Sequence, residues 1–394
     1  MKCRGFADKL QHLKSFKVVD FLDAAIAMEA RGLDVIRMEA GQPVFPLPEP
    51  VQQAAQSAIA TSVSNIYTAS LGTEALRLAI ARLYGRRYNI DLNPKRVVIT
   101  TGSSAALAML CDLLVNPGDS MLLPDPGYPC NANFVRRCNG TPITIAVDAS
   151  QNYQLSADQV RQHWRADTAG VIVASPSNPT GDTLSAEELK ELGSAVRERG
   201  GRLIVDEIYH GLNYSSAGDI SILNSCDDAF VINSFSKYFG LPGWRLGWMV
   251  VPEDAIKPLE IMAQNFYISP PNISQQVALA ALSAEAIAVY EQRRKIFKTR
   301  RDFLVPQLQQ LGFDIPHAPP GAFYIYAGID QLATDSEQFC WQMLDKAHVA
   351  FTPGTDFGSN GARNHVRFSY TEELPRLQIA VERLARALEA SRGI

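Results

Sequence analysis

The sequence predicts an α/β protein: a large domain built as a three-layer, mostly parallel sheet with helices on both faces, and a smaller α/β domain assembled from both chain ends. Three observations predict it. The chain has 394 residues, past the size at which one hydrophobic core stops growing, so two domains are expected. Its middle alternates short β-branched runs with helix-length segments, the rhythm of parallel strands covered on both faces. After Gly312 a continuous helical periodicity gives way to a mixture of strand and helix around residues 322–326.

A helix is expected over residues 19–31, stopped by Gly32, and then an extended stretch over 35–38. Both lie outside the central series, which lets them pack with the carboxy-terminal part. The proline-rich residues 42–50 form the crossover. Strands follow at 96–100, 121–123, 143–145, 171–173 and 203–205. Two more, at 230–232 and 247–251, are separated by only a short connection, which gives at least one of them room to run antiparallel. Ser185 and Glu188 make a capping box ahead of Leu189 and Leu192, and Gly200 and Gly201 end that helix. Residues 272–310 read as continuous helix. The resulting division is 1–45 as amino-terminal arm and part of the small domain, 46–290 as the large domain, and 291–394 as the carboxy-terminal small domain.

Composition narrows the function classes. With 46 % apolar and 20 % charged residues the chain is an ordered globular protein, and a net charge of −4 is the wrong sign for a nucleic-acid surface. Its densest basic cluster, Arg293, Arg294, Lys295, Lys298, Arg300 and Arg301, has helical spacing and reads as a solvated helix face. The first residues lack the apolar core of a secretory signal, and no apolar run is long enough to cross a bilayer. Six cysteines, from Cys3 to Cys340, are scattered without a C-x-x-C pair, which suits reduced thiols in a cytoplasmic protein. The six histidines are equally dispersed, so no metal site is expected, and the absence of G-x-G-x-x-G disfavours the usual dinucleotide-binding dehydrogenases.

The chemistry concentrates at strand ends. Lys237 follows a buried strand, with Ser234 and Ser236 before it and a glycine-rich turn carrying Arg245 after it. An amine, two hydroxyls and a bidentate anion clamp are thus placed near one another. Asp206 ends another strand, where open α/β sheets bind ligands, with the Tyr209 phenol three residues on; an Asp there is also a common helix cap. Ser103 and Ser104 open a helix after Gly102, an arrangement that serves phosphate binding or plain capping equally well. Asn178 starts an Asn-Pro-Thr-Gly turn, Tyr128 sits in an Asp-Pro-Gly-Tyr-Pro loop, and Arg367 lies on a strand. Alone, these last three are a turn, an exposed turn tyrosine and a surface arginine.

Together, and in this order, they resemble the class I/II aminotransferases, fold type I of the pyridoxal-phosphate enzymes. The resemblance rests on S-x-S-K at 234–237, G-x-R-x-G at 243–247, the Asp206/Tyr209 pair, Asn-Pro-Thr-Gly at 178–181 and Gly41-Gln42-Pro43, and extends over residues 15–388. It implies that Lys237 carries pyridoxal 5'-phosphate as a Schiff base and moves the substrate proton. Asp206 then bonds the pyridine nitrogen, Asn178 and Tyr209 bond the phenolic oxygen, and Tyr128 stacks on the ring. Ser103, Ser104, Ser234, Ser236 and Arg245 hold the phosphate, joined by Tyr67 from the neighbouring subunit of a homodimer. Gly41, Asn178 and Arg367 receive the substrate carboxylate.

The activity implied is ping-pong transfer of an amino group from an L-amino acid to a 2-oxo acid, with a β- or γ-eliminating lyase on the same fold as the alternative. A transcription regulator that kept this fold would need a DNA-binding segment, for which the few residues before position 15 leave no room. Side-chain pockets in the family borrow from the amino-terminal arm, here Phe16 or Val18, and from the partner subunit, so sequence spacing does not locate them. Phe16 and Tyr67 favour an apolar or aromatic donor, with 2-oxoglutarate as acceptor.

Overall fold

A computed structural model describes residues 6–13 and 15–392; Cys3 lies outside the described residues. Twelve strands are present among them: β1 (Ile36–Arg37), β2 (Val97–Thr100), β3 (Ser120–Asp125), β4 (Thr141–Ala146), β5 (Thr168–Ala174), β6 (Arg202–Asp206), β7 (Phe230–Ser234), β8 (Gly247–Val250), β9 (Tyr324–Gly328), β10 (Val349–Ala350), β11 (Thr352–Pro353) and β12 (His365–Ser369). Seven form the main sheet in the order β2-β8-β7-β6-β5-β3-β4. Only β8 runs against its neighbours there, pairing antiparallel with both β2 and β7.

Both faces of this sheet are dry. Val171, Val173, Val205, Val231 and Trp248 point into one apolar layer, while Ile172, Ile204, Phe230, Ile232 and Met249 point into the other. Alternate residues along one strand feed opposite layers, which is why these strands read as unbroken apolar runs in the sequence. The parallel strands all deliver their carboxy ends to one edge of the sheet. The capping box forms as expected: the Ser185 hydroxyl accepts from Glu188 N, and the Glu188 carboxylate accepts from Ser185 N at 2.7 Å.

The two chain ends meet. β1 pairs in parallel with β10, and Ser369 N donates to Met38 O at 2.8 Å, while β11, β12 and β9 make a separate antiparallel sheet. The first long helix begins at Lys17, earlier than expected, because its leading amides have a distant acceptor. Asp356 takes Lys17 N at 2.9 Å and Val18 N at 3.2 Å, satisfying donors that the preceding residue, Phe16, cannot.

Two expectations are corrected. Residues 272–310 are two helices, Asn272–Ala281 and Ala284–Gln310, bent by 75°. The Ser283 hydroxyl accepts from Ala286 N and so starts a new helix where periodicity alone suggests continuation. The basic cluster on the second of these helices is a solvated face only in part: Lys295 and Lys298 are exposed, but Arg293, Arg300 and Arg301 are buried. Arg293 donates to Pro46 O, Arg300 to Thr371 O at 2.6 Å and Arg301 to Pro319 O at 2.8 Å, so one helix ties down three separate loops. Their stems and guanidinium planes lie on Phe45, Phe297 and Tyr214.

Arg301→Ala strands the Pro319 carbonyl and removes packing over Tyr214, and is expected to destabilise by about 2–3 kcal/mol in urea unfolding. Lys298→Ala, on the exposed side of the same helix, should stay within about 0.5 kcal/mol of the parent.

Candidate active site

A cavity of about 280 Å³ opens at the carboxy edge of the main sheet. Loops following β2, β3, β5, β6 and β7 reach it, and so do the segment after β1 and the strand β12. Gly41, Ser103, Ser104, Tyr128, Asn178, Asp206, Tyr209, Ser236, Lys237, Arg245 and Arg367 all line it. Two predicted residues do not. Ser234 is buried behind the wall, its hydroxyl donating to Ser236 Oγ at 2.9 Å and accepting from Ser236 N, so it shapes the turn that presents Lys237. Tyr67 is 76 % exposed and does not line the cavity.

An anion cradle is built at one end. The helix Ser103–Leu114 is preceded by Gly102 at φ +85°, and no side chain caps it, which removes the capping reading of Ser103 and Ser104. A Cβ on Gly102 would lie 2.7 Å from Arg245 Nη2, so the guanidinium packs on bare backbone beside the helix amino terminus. Uncapped amides, the helix dipole and a fixed positive charge all favour an anion there. Arg245 itself holds φ +47°, an unusual conformation for a side-chain-bearing residue, and its Nη1 donates to Pro242 O at 3.0 Å.

The opposite requirement appears at Asp206. It is buried at the end of β6; Oδ1 accepts Ile208 N at 3.0 Å, and no helix follows for it to cap. Burial, and to a lesser degree the neighbouring Glu207 carboxylate, push its carboxyl up to about 7, against the lowering effect of the Ile208 amide and Lys237. A buried carboxylate of this kind is most stable opposite a cation.

Between these ends Lys237 Nζ donates to Gly41 O at 2.9 Å and lies 5.8 Å from the Tyr209 ring centre. Arg367 is 2 % exposed, which overturns its surface reading. Its Nη1 donates to Asn178 Oδ1 at 2.9 Å and its Nη2 to Glu39 O, while Nε has no partner within the described residues. Asn178 therefore has its oxygen committed to Arg367, leaving the amide N–H groups as its remaining donors. Tyr128 is half-buried and stands edge-on to Phe16 at 6.3 Å, so it is no exposed turn tyrosine.

Sequence reading missed Tyr324, whose hydroxyl is 3.0 Å from that of Tyr209 and whose ring lies 4.2 Å beneath the Arg367 guanidinium. A Cβ on Gly41 would come within 1.8 Å of the Tyr324 oxygen, so glycine at 41 and tyrosine at 324 are fitted to each other. The expected β-run around Tyr324 was visible, but alternation along a strand cannot say which residue meets a distant loop. Among the described residues no cluster of His, Cys, Asp and Glu could hold a metal ion, and no single helix is long and apolar enough to cross a membrane.

Comparison with known proteins places this geometry. A family model described as aminotransferase class I and II matches residues 33–384. The valine–pyruvate aminotransferase of Mycobacterium tuberculosis is 35 % identical, the match covering 94 % of this chain and 95 % of that protein. A crystal structure of an aminotransferase from Mycobacterium tuberculosis superposes with a TM-score of 0.94 at 34 % identity, covering 98 % of this chain and 100 % of the other. The aspartate aminotransferase of Thermus thermophilus, solved with maleate, gives 0.92 at 30 % identity, covering 98 % of this chain and 100 % of that one.

Because the fold holds the Asp206 proton up to about 7, folding takes up protons between the ordinary value of 3.8 and about 7, and stability falls as pH rises through that window. In cofactor-free protein Asp206→Asn should therefore raise the melting temperature near pH 8, with the gain shrinking as pH is lowered towards 4. A gain independent of pH would remove charge burial as its cause.

Proposed function

The chain belongs to the class I and II aminotransferases, and from that membership we propose that it works with pyridoxal 5'-phosphate bound in the cavity around Lys237. It moves an amino group between an amino acid and a 2-oxo acid; the eliminating lyase, the alternative reading of the motifs, is not favoured by the relatives. The observation that carries the cofactor reading is the convergence of Lys237, Asp206 and Arg367, from three separate parts of the chain, on one cavity.

The residues present fit the group. Arg245, Gly102 and the amides of Ser103 and Ser104 offer a cradle for its phosphate, and Asp206, already strained by burial, is matched to a protonated ring nitrogen. Tyr209 offers its hydroxyl and Asn178 its side-chain amide to the phenolic oxygen, and Tyr128 flanks the ring position. Bound there, pyridoxal phosphate supplies a conjugated cation that accepts the electrons released when a Cα–H bond breaks.

The rest is done by the chain. Arg367 pairs with the substrate α-carboxylate, using donors that Asn178 and Glu39 hold in a fixed plane. The Lys237 amine would act as the base that takes the proton from the substrate Cα and as the acid that gives it back. Enclosure by Tyr324, Tyr128 and Phe16 keeps water from the reacting atoms.

A homodimer belongs to the same reading. Tyr67 is an exposed aromatic on the segment between the helices Glu49–Ala60 and Glu74–Tyr88, suited to reach the phosphate of a second copy. The five described cysteines are free thiols, which supports a reducing compartment such as the cytoplasm. Amino acid metabolism is the corresponding role.

Lys237→Ala should abolish the visible absorbance of the lysine-bound cofactor and nearly all turnover, while Lys237-containing protein bleaches to the amine form on adding a donor. Wild-type protein should sediment at twice the chain mass. Tyr67→Phe should weaken cofactor retention by about tenfold, read by equilibrium dialysis, without changing that mass.

A further inference from the structure

Tyr324 opens β9, is buried, and meets three working groups with one side chain. Its hydroxyl is 3.0 Å from that of Tyr209, and the two rings stand edge to face, 5.7 Å apart with their planes at 80°. The Arg367 guanidinium carbon lies 4.2 Å from its ring centre. Gly41, whose carbonyl accepts Lys237 Nζ at 2.9 Å, has no room for a Cβ because the Tyr324 oxygen fills that space. Phe323 closes on the Tyr209 ring as well, with 5.5 Å between centres. Tyr209, Tyr324 and Arg367 belong to one chain and are buried in it, so their contacts with one another do not depend on a second copy.

The ring of Tyr324 is held on several sides, which leaves its hydroxyl hydrogen as the part free to turn. At 3.0 Å either phenol can donate to the other, since each carries one hydrogen and can also accept. Burial holds the Tyr209 phenol well above its ordinary value, so it keeps its hydrogen to give. When that hydrogen goes to the phenolic oxygen of the cofactor, the bond between the two tyrosines can run only from Tyr324 to Tyr209. A phenol that accepts a hydrogen bond is polarised into a stronger donor.

We propose that Tyr324 is a positioning residue for Tyr209: its hydroxyl donates to the Tyr209 oxygen, aims the Tyr209 hydrogen at the cofactor and so makes the lysine-bound cofactor easier to deprotonate. The inference rests on the cofactor reading of the Lys237 cavity. The phenolic oxygen shares its charge with the nitrogen that joins Lys237 to the cofactor, and a stronger donor to that oxygen lowers the pH at which the nitrogen loses its proton. The benefit falls near neutral pH, where an amino acid arrives protonated and must shed a proton before its amine can attack.

The test is a spectrophotometric pH titration of the cofactor-loaded full chain, which follows the visible absorbance as the lysine-bound cofactor loses its proton and needs no substrate. Tyr324→Phe keeps the ring against Arg367 and Gly41 and removes only the hydroxyl. Its midpoint should rise by about 0.3–0.6 pH unit, the share expected for losing a cooperative donor behind a charge-assisted bond. Tyr209→Phe should raise the midpoint by about one unit or more. Adding Tyr324→Phe to that variant should move it no further, because the chain of donors is already cut at Tyr209. A Tyr324→Phe midpoint equal to the parent's would overturn the proposal. So would an equal rise with and without the Tyr209 hydroxyl, which would mean that Tyr324 acts on the cofactor by itself. Only protein that has bound cofactor contributes colour, so partial misfolding imitates neither result. Failure of the cofactor reading itself would look different: the parent chain, incubated with pyridoxal phosphate and dialysed, would show no pH-dependent visible band, and both readings would fall together.

Discussion

The buried guanidinium of Arg367 is the constraint around which the site is assembled. A positive charge taken almost wholly out of water must be surrounded by acceptors, and here they come from parts of the chain far apart in sequence. Asn178, on the loop after β5, supplies its side-chain oxygen, and Glu39, just after β1, supplies its backbone carbonyl. The ring centres of Tyr324 and Phe357 lie 4.2 and 4.6 Å from the guanidinium carbon. Satisfying one charge thus fastens the amino-terminal segment, the main sheet and the carboxy-terminal sheet to one another. Glu39 is itself fully buried, with its carboxyl held above the ordinary range by loss of water, and Arg37 answers one of its oxygens at 2.7 Å.

Around that anchor the electrostatics are laid out along the strand ends. Parallel strands bring their carboxy ends to one edge, so the loops that follow them can carry opposite requirements a short way apart. The loop after β2 and the turn bearing Arg245 favour an anion; the end of β6 favours a cation. A ligand with a phosphate at one end and a basic ring nitrogen at the other answers both. Neither half is comfortable alone: Arg245 sits at positive φ, and Asp206 is a carboxyl pushed towards neutrality by burial. Such local costs persist only where the surrounding structure imposes them.

One wall of the cavity comes from a different part of the molecule. Phe16 has no place in the main sheet or in the lysine turn; it reaches the cavity because Asp356, 340 positions along, receives the first amides of the helix Lys17–Glu29. Lys237, Asp206 and Asn178 stand at strand ends, whereas Phe16 lines the same cavity from a segment docked against the main sheet from outside.

Much of this was legible in the residues themselves. Alternating apolar layers force the seven central strands, and the Ser185 and Glu188 box and the paired glycines after it mark a helix without help from the rest of the chain, because caps and periodicity are local properties. The reacting groups were legible too, since Lys237, Asp206, Asn178 and Arg245 stand at fixed distances from strand ends. What the sequence could not show depends on groups distant along the chain. Ser283 breaking a helix, three buried arginines on a face that looks solvated, and Tyr324 meeting Tyr209 are all settled by which surfaces end up touching. The sequence by itself determined the strands, their dry faces and the set of chemical groups; the tertiary structure alone decided that Arg367 would be buried and that Ser234 would stand behind the wall instead of in it. Charge burial and shape complementarity are properties of the assembled core, and no spacing along a single chain encodes them directly.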